Sequence, residues 1–278
     1  MIYGLKNAQK FYIGNQEISK IFLGNTEIFS QVFADFPTTG LLAFYSFQNN
    51  ILDSVGTISP LLSGNLCSFN YTTGLNGTNA IQFNNFGTCG FGGGLFCPND
   101  VWNIFQGNTK ASFAFWFKYT QNIPLLNPIN AGCGMTFFGN DFGRFGFGVA
   151  PNNGIVNRVS CYIAANTSGG ARYTDPSPIV IGEWNHIAGT YDNTTRNFKV
   201  YRNGILVHNY TFPSAITPPS ENPIFYKGFG INGSGYIQAS SVGEYGIPII
   251  IDSLGLWTRV LTDQEISILY NNGNGLEI

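Results

Sequence analysis

Side chains able to do covalent chemistry are few in this chain: 15 Asp and Glu, two His and five Cys among 278 residues. Cleaving a glycosidic bond takes two carboxylates flanking that bond. A β-sheet enzyme commonly carries them on one strand as Glu-x-Asp-x-x-Glu, and no such triplet occurs. Glu17 and Glu27 fall in a repeat, Asp263 and Glu265 open a helix, and nothing else forms a pair. His186 lies inside an apolar strand and His208 near a strand end, where structural imidazoles are expected. A Gly-x-Ser-x-Gly elbow, a phosphate loop and a Cys–His–Asp pattern are all missing. Cys67, Cys89, Cys97, Cys133 and Cys161 are odd in number, which fits free thiols better than a disulfide framework. Cys89 and Cys97 share a Gly-rich loop with no histidine nearby, so a zinc site is not expected. The chain is therefore expected not to be an enzyme, and its chemistry should be non-covalent recognition.

The elements that would position a binding face centre on Gly182–Tyr210, GEWNHIAGTYDNTTRNFKVYRNGILVHNY. Two apolar-rich runs, Trp184–Tyr191 and Phe198–Tyr201, flank a polar turn. The Asn203-Gly204 pair, whose residues tolerate positive φ, then leads into Ile205–Tyr210. Three consecutive antiparallel strands follow from this pattern. Leu41–Phe47 is apolar on both faces, as a central strand of a packed sheet is, and in the apolar strand Ser112–Tyr119 Phe113, Phe115 and Phe117 face one way and Ala114, Trp116 and Lys118 the other. Ala80–Phe83, Met135–Phe138, Arg144–Val149, Val159–Ala164 and Pro248–Trp257 read as further strands. Thr262-Asp263-Gln264-Glu265 spells a capping box for a short helix that presents Ile266, Leu269 and Tyr270 on one face, with Gly273 as its stop. Asn84–Gln106 and Phe212–Ile247 are long irregular stretches, read as contact loops.

The run Trp184-Asn185-His186-Ile187-Ala188-Gly189-Thr190-Tyr191-Asp192, followed by Val200-Tyr201-Arg202-Asn203-Gly204, resembles the central signature of laminin-G-like, concanavalin A-like jelly rolls. Leu41–Gly56, Ala80–Phe83, Ser112–Tyr119 and Ile251–Gly273 fall where that family places its other segments, so the resemblance covers roughly residues 38–278. It implies an all-β fold, an antiparallel β-sandwich with a short C-terminal helix. It also implies one structural Ca²⁺, an ion that prefers carboxylate and backbone oxygens. Asp53 in DSVG and Asp252 in IDSLGLW match the family's acidic places; the chain departs in carrying Gln48 in SFQNN, where relatives commonly carry Asp. Both aspartates have the alternative role of turn residues bonding local N–H groups. For glycan binding, exposed rings that stack on pyranose are needed. Phe91, Phe96, Trp102, Tyr173 and Tyr236 are the loop candidates, but no single ligand-binding residue is assigned, because most rings in such a chain serve the core or subunit contacts.

Charged residues make up only 10% of the chain, against about a quarter in typical soluble chains. The surface must then be Asn, Ser, Thr and Gly, which suits a member of a large assembly. The net charge of −2 offers no basic patch, which argues against nucleic acid as a partner. No apolar run approaches the ~20 residues of a membrane helix, so no membrane insertion is expected. The start, MIYGLKNAQKFYIGN, lacks the regions of a secretory signal, so folding in a cytoplasm is expected.

The first segment repeats at a period of ten: Tyr12-Ile13-Gly14-Asn15-Gln16-Glu17-Ile18 is echoed by Phe22-Leu23-Gly24-Asn25-Thr26-Glu27-Ile28. Each copy reads as a hairpin that cannot bury a core alone. The repeat resembles N-terminal stretches of bacteriophage structural proteins. The expected plan is thus a β-hairpin-like docking segment, residues 1–37, ahead of a jelly roll, residues 38–278. The resemblance implies a virion protein of a tail or capsid. It would be anchored to other virion proteins by its N-terminal segment, present as a homo-oligomer or in many copies, and would display a face for glycans. The alternative is a carbohydrate-binding module of a bacterial surface or glycan-degrading system.

Overall fold

In the computed structural model, residues 11–13, 16–18, 20–23, 26–30, 35–55, 62–63, 69–83, 95–96, 109–120, 135–139, 146–149, 158–163, 171–213, 230–231 and 249–276 are described. The chain divides into two compact units, Met1–Asp35 and Phe36–Ile278. The first holds two antiparallel pairs, β1 (Phe11–Ile13) with β2 (Gln16–Ile18), and β3 (Lys20–Leu23) with β4 (Thr26–Ser30). Each copy of the ten-residue repeat thus contributes two short strands that pair with one another.

The second unit is an antiparallel β-structure. Its strands are β5 (Leu41–Tyr45), β6 (Leu62–Ser63), β7 (Phe69–Thr73), β8 (Asn79–Phe83), β9 (Leu95–Phe96), β10 (Lys110–Tyr119), β11 (Met135–Gly139), β12 (Gly146–Val149), β13 (Arg158–Ile163), β14 (Ala171–Pro178), β15 (Asn185–Asp192), β16 (Asn197–Arg202), β17 (Ile205–Thr211), β18 (Gly230–Ile231) and β19 (Ile249–Trp257). One helix follows, α1 (Asp263–Tyr270). The large sheet runs β17-β16-β15-β10-β19-β8-β7, with β5 also on β19; a second sheet runs β11-β12-β13-β14, and a small one β18-β9-β6. The antiparallel sandwich expected from the pattern is therefore present, short C-terminal helix included.

The alternation in β10 decides how the layers form. Phe113, Phe115 and Phe117 point into one cluster with Ile187, Phe198, Val200, Phe212, Ile251 and Leu256. Ala114 points the other way, into a cluster with Ala188, Tyr201, Trp257, Leu261, Ile266 and Leu269, so the short helix covers this second face. Burying each such large side chain contributes about 1.5–3 kcal/mol. Packing is close at Gly189, where a Cβ would come within 2.5 Å of the Phe113 ring; no larger residue fits there without moving that ring.

β19 is the hub. Along one edge it pairs first with β8, through Ile250 and Ile251, and then with β5, through Leu254 to Trp257. Between the two lies a bulge: Asp252 faces Trp116 and Gly255 faces Ala114, so β19 carries an extra residue, and Ser253 takes the left-handed conformation (φ 53°). The bulge redirects the strand and hands its edge from one neighbour to the other.

Three details differ from the sequence-based expectations. β6, β7, β9, β14 and β18 are additional strands, β9 and β18 within the stretches read as contact loops; in β14 the prolines of TDPSP mask the strand pattern, since Pro removes a ladder donor. The leading helix ends at Asn271 in the left-handed conformation (φ 46°), and Gly273 lies in the 3₁₀ turn beyond it. The capping box itself is as read: the Glu265 N–H donates to Thr262 Oγ1 and the Thr262 N–H to Glu265 Oε2. Phe36 and Pro37 fall in the second unit, because Trp257 Nε1–H donates to the Pro37 carbonyl at 2.7 Å and the Phe36 ring stacks on Trp257.

Candidate functional site

The two aspartates that match the acidic places, Asp53 and Asp252, serve the fold. Asp53 Oδ1 accepts the N–H groups of Phe44 (2.9 Å) and Val55 (3.0 Å), tying its turn to β5. Asp252, fully buried at the β19 bulge, accepts the Leu75 N–H at 2.9 Å and the Thr78 hydroxyl at 3.3 Å on Oδ2, and the Ser253 hydroxyl on Oδ1. Among the described residues these carboxylates face hydrogen-bond donors, and no group of three His, Cys, Asp or Glu side chains gathers. That donor set does not fit Ca²⁺, which takes six to eight oxygens. Gln48 explains its departure from Asp: its amide donates to the Ser46 and Asn79 carbonyls and accepts the Asn79 N–H, which a carboxylate could not do.

Three further carboxylates are ion-paired. Asp192 meets Lys110 at 3.2 Å, Asp263 meets Lys199 at 3.2 Å and takes the Tyr201 hydroxyl, and Glu265 pairs with Arg259. The Arg259 guanidinium holds Glu265 down to about 2, far below the ordinary carboxylate range. His186 is buried, with its ring centroid 5.1 Å from Trp116 and 6.1 Å from Tyr270. Burial depresses its pKa to about 3, so it stays neutral.

Arg202, from the Val200–Gly204 motif, is the residue that assembles the surface of interest. Its guanidinium meets Asp175 Oδ2 at 3.0 Å, the Ser177 carbonyl at 3.0 Å, the Pro178 carbonyl at 3.2 Å and Asn185 Oδ1 at 3.0 Å. It thereby clamps β14, of the smaller sheet, to β15 and β16 of the larger. The clamp sets Tyr173 of β14 over His208 of β17, with centroids 4.6 Å apart and planes 22° from parallel.

A row of rings follows along this rim. His208 lies 6.1 Å from Tyr210 with the planes 7° apart, Tyr210 meets Phe212 edge-on at 5.2 Å, and Phe198 backs His208 from β16. The hairpin that presents β17 turns at Asn203 (φ 50°) and Gly204 (φ 76°), the positive-φ pair of a tight turn. Asn203 Oδ1 further accepts the His186 N–H. His208 Nε2 is covered and has no partner among the described residues, and burial lowers its pKa, so the ring is neutral near pH 7. Tyr210 is exposed. On the same strand pair, Asn197 Nδ2–H donates to Asn209 Oδ1 at 2.7 Å and to the Tyr210 carbonyl. An exposed phenol ring, a stacked Tyr–His pair and surface amides can hold a ligand by ring stacking and hydrogen bonds.

Of the candidate rings, only Tyr173 has a described side chain. Phe96 lies in β9 with its side chain outside the described residues, and Phe91, Trp102 and Tyr236 lie outside them altogether, as do the cysteine side chains and most of the two contact loops. His208 and Tyr210 are the rim residues that sequence reasoning passed over. Their signal was the alternation of His208 and Tyr210 along β17; the bulge at Val207 sets Leu206 opposite Tyr201, on the other face. Among the described residues no helix is long and apolar enough to cross a membrane.

A family model described as concanavalin A-like lectin/glucanases superfamily, of the laminin-G type, matches residues 90–267. None of the curated proteins matches the chain significantly. Among solved structures, domain 4 of AbnA, a GH43 extracellular arabinanase from Geobacillus stearothermophilus, in complex with arabinotriose, is similar at 22% identity and a TM-score of 0.54, over 82% of this chain and 96% of that domain. The binding domain of Paraclostridial Mosquitocidal Protein 1 is similar at 13% identity and a TM-score of 0.57, over 85% of this chain and 53% of its own length. Trypanosoma rangeli sialidase in complex with sialic acid follows at 15% identity and a TM-score of 0.55, over 88% of this chain and 35% of its own. The chain thus spans about half of the toxin domain and about a third of the sialidase. These likenesses are of fold.

Proposed function

The chain belongs to the concanavalin A-like lectin/glucanases superfamily, and from that premise we propose that it is a non-catalytic glycan-binding protein carried on a bacteriophage particle. The observation that carries the binding half of this reading is the rim at β14 and β17. There Arg202 fixes Tyr173 over His208, and Tyr210 continues the row to the surface. Ring faces stacked against pyranose C–H groups, with amides for the hydroxyls, are the standard chemistry of sugar recognition without turnover. The non-catalytic half is supported by six of the described carboxylates: Asp53, Asp175, Asp192, Asp252, Asp263 and Glu265 serve hydrogen bonds or ion pairs that hold the fold together. The virion half is supported by the ten-residue repeat, each copy of which forms a strand pair too small to stand alone.

A second reading, a carbohydrate-binding module of a glycan-degrading system, is favoured by the likeness to the arabinanase domain, of which 96% is covered. Two measurements separate the readings. Mass spectrometry of purified phage particles from the source is expected to find the intact protein and not a version lacking Met1–Phe36; absence of both would move the module reading to first place. Retention on immobilised arabino-oligosaccharides, sialyl-oligosaccharides and bacterial surface polysaccharide tests the rim. Tyr173→Ala and Tyr210→Ala are expected to weaken binding roughly tenfold each with an unchanged circular dichroism spectrum. Undiminished binding in both variants would refute the rim.

A further inference from the structure

We propose that the face of the large sheet that carries α1 holds a second binding site, at the end the helix leaves open, for a polysaccharide bearing carboxylate groups. The ladder registers build it. Lys118 of β10 stands opposite Ile250 of β19, Ile250 opposite Gln82 of β8, and Gln82 opposite Asn70 of β7. Residues opposite one another in a ladder point to the same side. That side faces away from the phenylalanine cluster, because the next residues along, Phe117, Ile251 and Ile81, enter the cluster. On the other flank the β10–β15 register pairs Phe117 with Asn185 and so brings Trp184 beside Lys118, whose Nζ stands 4.7 Å from the Trp184 ring centroid. Trp184, Lys118, Ile250, Gln82 and Asn70 thus form one row from the head of β15 to β7, about 19 Å long at the ordinary strand spacing.

The neighbouring rows of this face are closed. Ala114 and Ala188 lie under α1, Trp116 stacks on Tyr270 at 5.7 Å, and Gly275 packs against Trp116 and Leu75. In the proposed row Asn70 is exposed, Trp184, Lys118 and Gln82 are partly exposed, and Ile250 forms the buried floor. The charge on Lys118 selects the ligand. Lys110, Lys199, Arg202 and Arg259 each meet a carboxylate, whereas Lys118 meets none among the described residues. The Trp184 ring fixes the ammonium through its quadrupole and consumes none of its three hydrogen-bond donors in a carboxylate contact. A carboxylate is the group such an ammonium takes. The amides of Gln82 and Asn70 donate and accept at once, as sugar hydroxyls do, and their spread across the strands suits an extended chain. An acidic peptide would bring backbone N–H and C=O groups that need partners, and a sheet face, unlike a sheet edge, offers none. The proposal shares its ligand class with the glycan-binding reading but none of its residues. His208 stands opposite Val200, which enters the phenylalanine cluster, so the Tyr173–His208 rim and this row lie on opposite faces.

Isothermal titration of polygalacturonate, alginate and polysialic acid into the full chain tests the proposal, with the carboxyl-reduced form of whichever polymer binds and poly-glutamate as comparison probes. The titrations are run on the wild type and in a Tyr173→Ala, Tyr210→Ala background, which removes the rim. At least one carboxylated polymer is expected to bind in both, about tenfold more tightly than its reduced form and than poly-glutamate. Lys118→Met is expected to weaken that binding about tenfold and Lys118→Arg to retain it, with unchanged circular dichroism. Gln82→Ala, two strands away, is expected to weaken it several-fold, a loss that attraction to a lone surface lysine would not show. If the row holds and the rim fails, the carboxylated polymer binds and neutral arabino-oligosaccharides do not. Binding of none of the three polymers in the rim-free background, equal binding of the reduced polymer or of poly-glutamate, or affinity untouched by Lys118→Met or by Gln82→Ala would each overturn the proposal.

Discussion

Acid should loosen this fold through one imidazole. His186 stands opposite Trp116 in the β10–β15 ladder, buried against the Trp116 and Tyr270 rings, and its Nδ1 has no partner among the described residues. Desolvation holds its pKa in the folded state to about 3, against 6.5 for the exposed imidazole. Between those values the unfolded chain takes up a proton that the folded protein refuses, so stability falls as pH falls from about 6.5 toward about 3. Integrating that difference from pH 7 to pH 5 gives about 2 kcal/mol, or a drop in melting temperature on the order of 5 °C for a chain of this size. The assay is urea unfolding at pH 7, 6 and 5 for the wild type and for His186→Gln. Every other titrating group, His208 included, is common to both proteins and cancels in the comparison. The wild type is expected to lose about 2 kcal/mol more than the variant over this range. Parallel pH curves would refute the reasoning, and would mean that the imidazole finds a proton acceptor or water in its pocket.

Two further outcomes follow from the amide and carboxylate contacts. Gln48→Glu replaces a donor by an acceptor opposite the Ser46 and Asn79 carbonyls. A loss of about 1–3 kcal/mol at pH 7 is expected, partly recovered at pH 4 as the new carboxyl regains a proton; equal loss at both pH values would count against it. Asp252→Asn sets an N–H₂ or a single acceptor against the Leu75 N–H and the Thr78 hydroxyl in a buried bulge, with an expected cost of about 1–3 kcal/mol. Calcium or EDTA is expected to leave the wild-type melting temperature unchanged. A calcium-dependent rise that Asp252→Asn abolishes would show that the carboxylate holds the ion after all.

The fold was legible where local pattern and burial agree. The alternation in Ser112–Tyr119 placed the phenylalanines on one face and Ala114 on the other, and Thr262 with Glu265 announced the helix start. It was illegible where a side chain acts far from its own position. Nothing around Arg202 indicates that its guanidinium reaches Asp175, and Asp175-Pro176-Ser177-Pro178 looks like a turn although it completes β14. The rim was hidden for the same reason, because Tyr173 and His208 meet only through that clamp. Asp53 and Asp252 were picked out correctly as acidic residues at turns and bends, but type alone could not tell a cation ligand from an acceptor of backbone N–H groups.

The hub position of β19 has a consequence for how the chain comes together. Trp257 bonds to Pro37 across 220 residues of sequence, and β5, β8 and β10 all pair with β19. During synthesis the edges of β5, β8 and β10 that β19 will cover must stay open until nearly the whole chain has emerged. Pairings of such long sequence separation fold slowly, because the loop entropy is lost before any contact compensates it. The N-terminal strand pairs need only neighbours a few residues away, so their loop closure costs little. Until β19 emerges the central strands stay unzipped, the stage at which another nascent copy is the most available wrong partner.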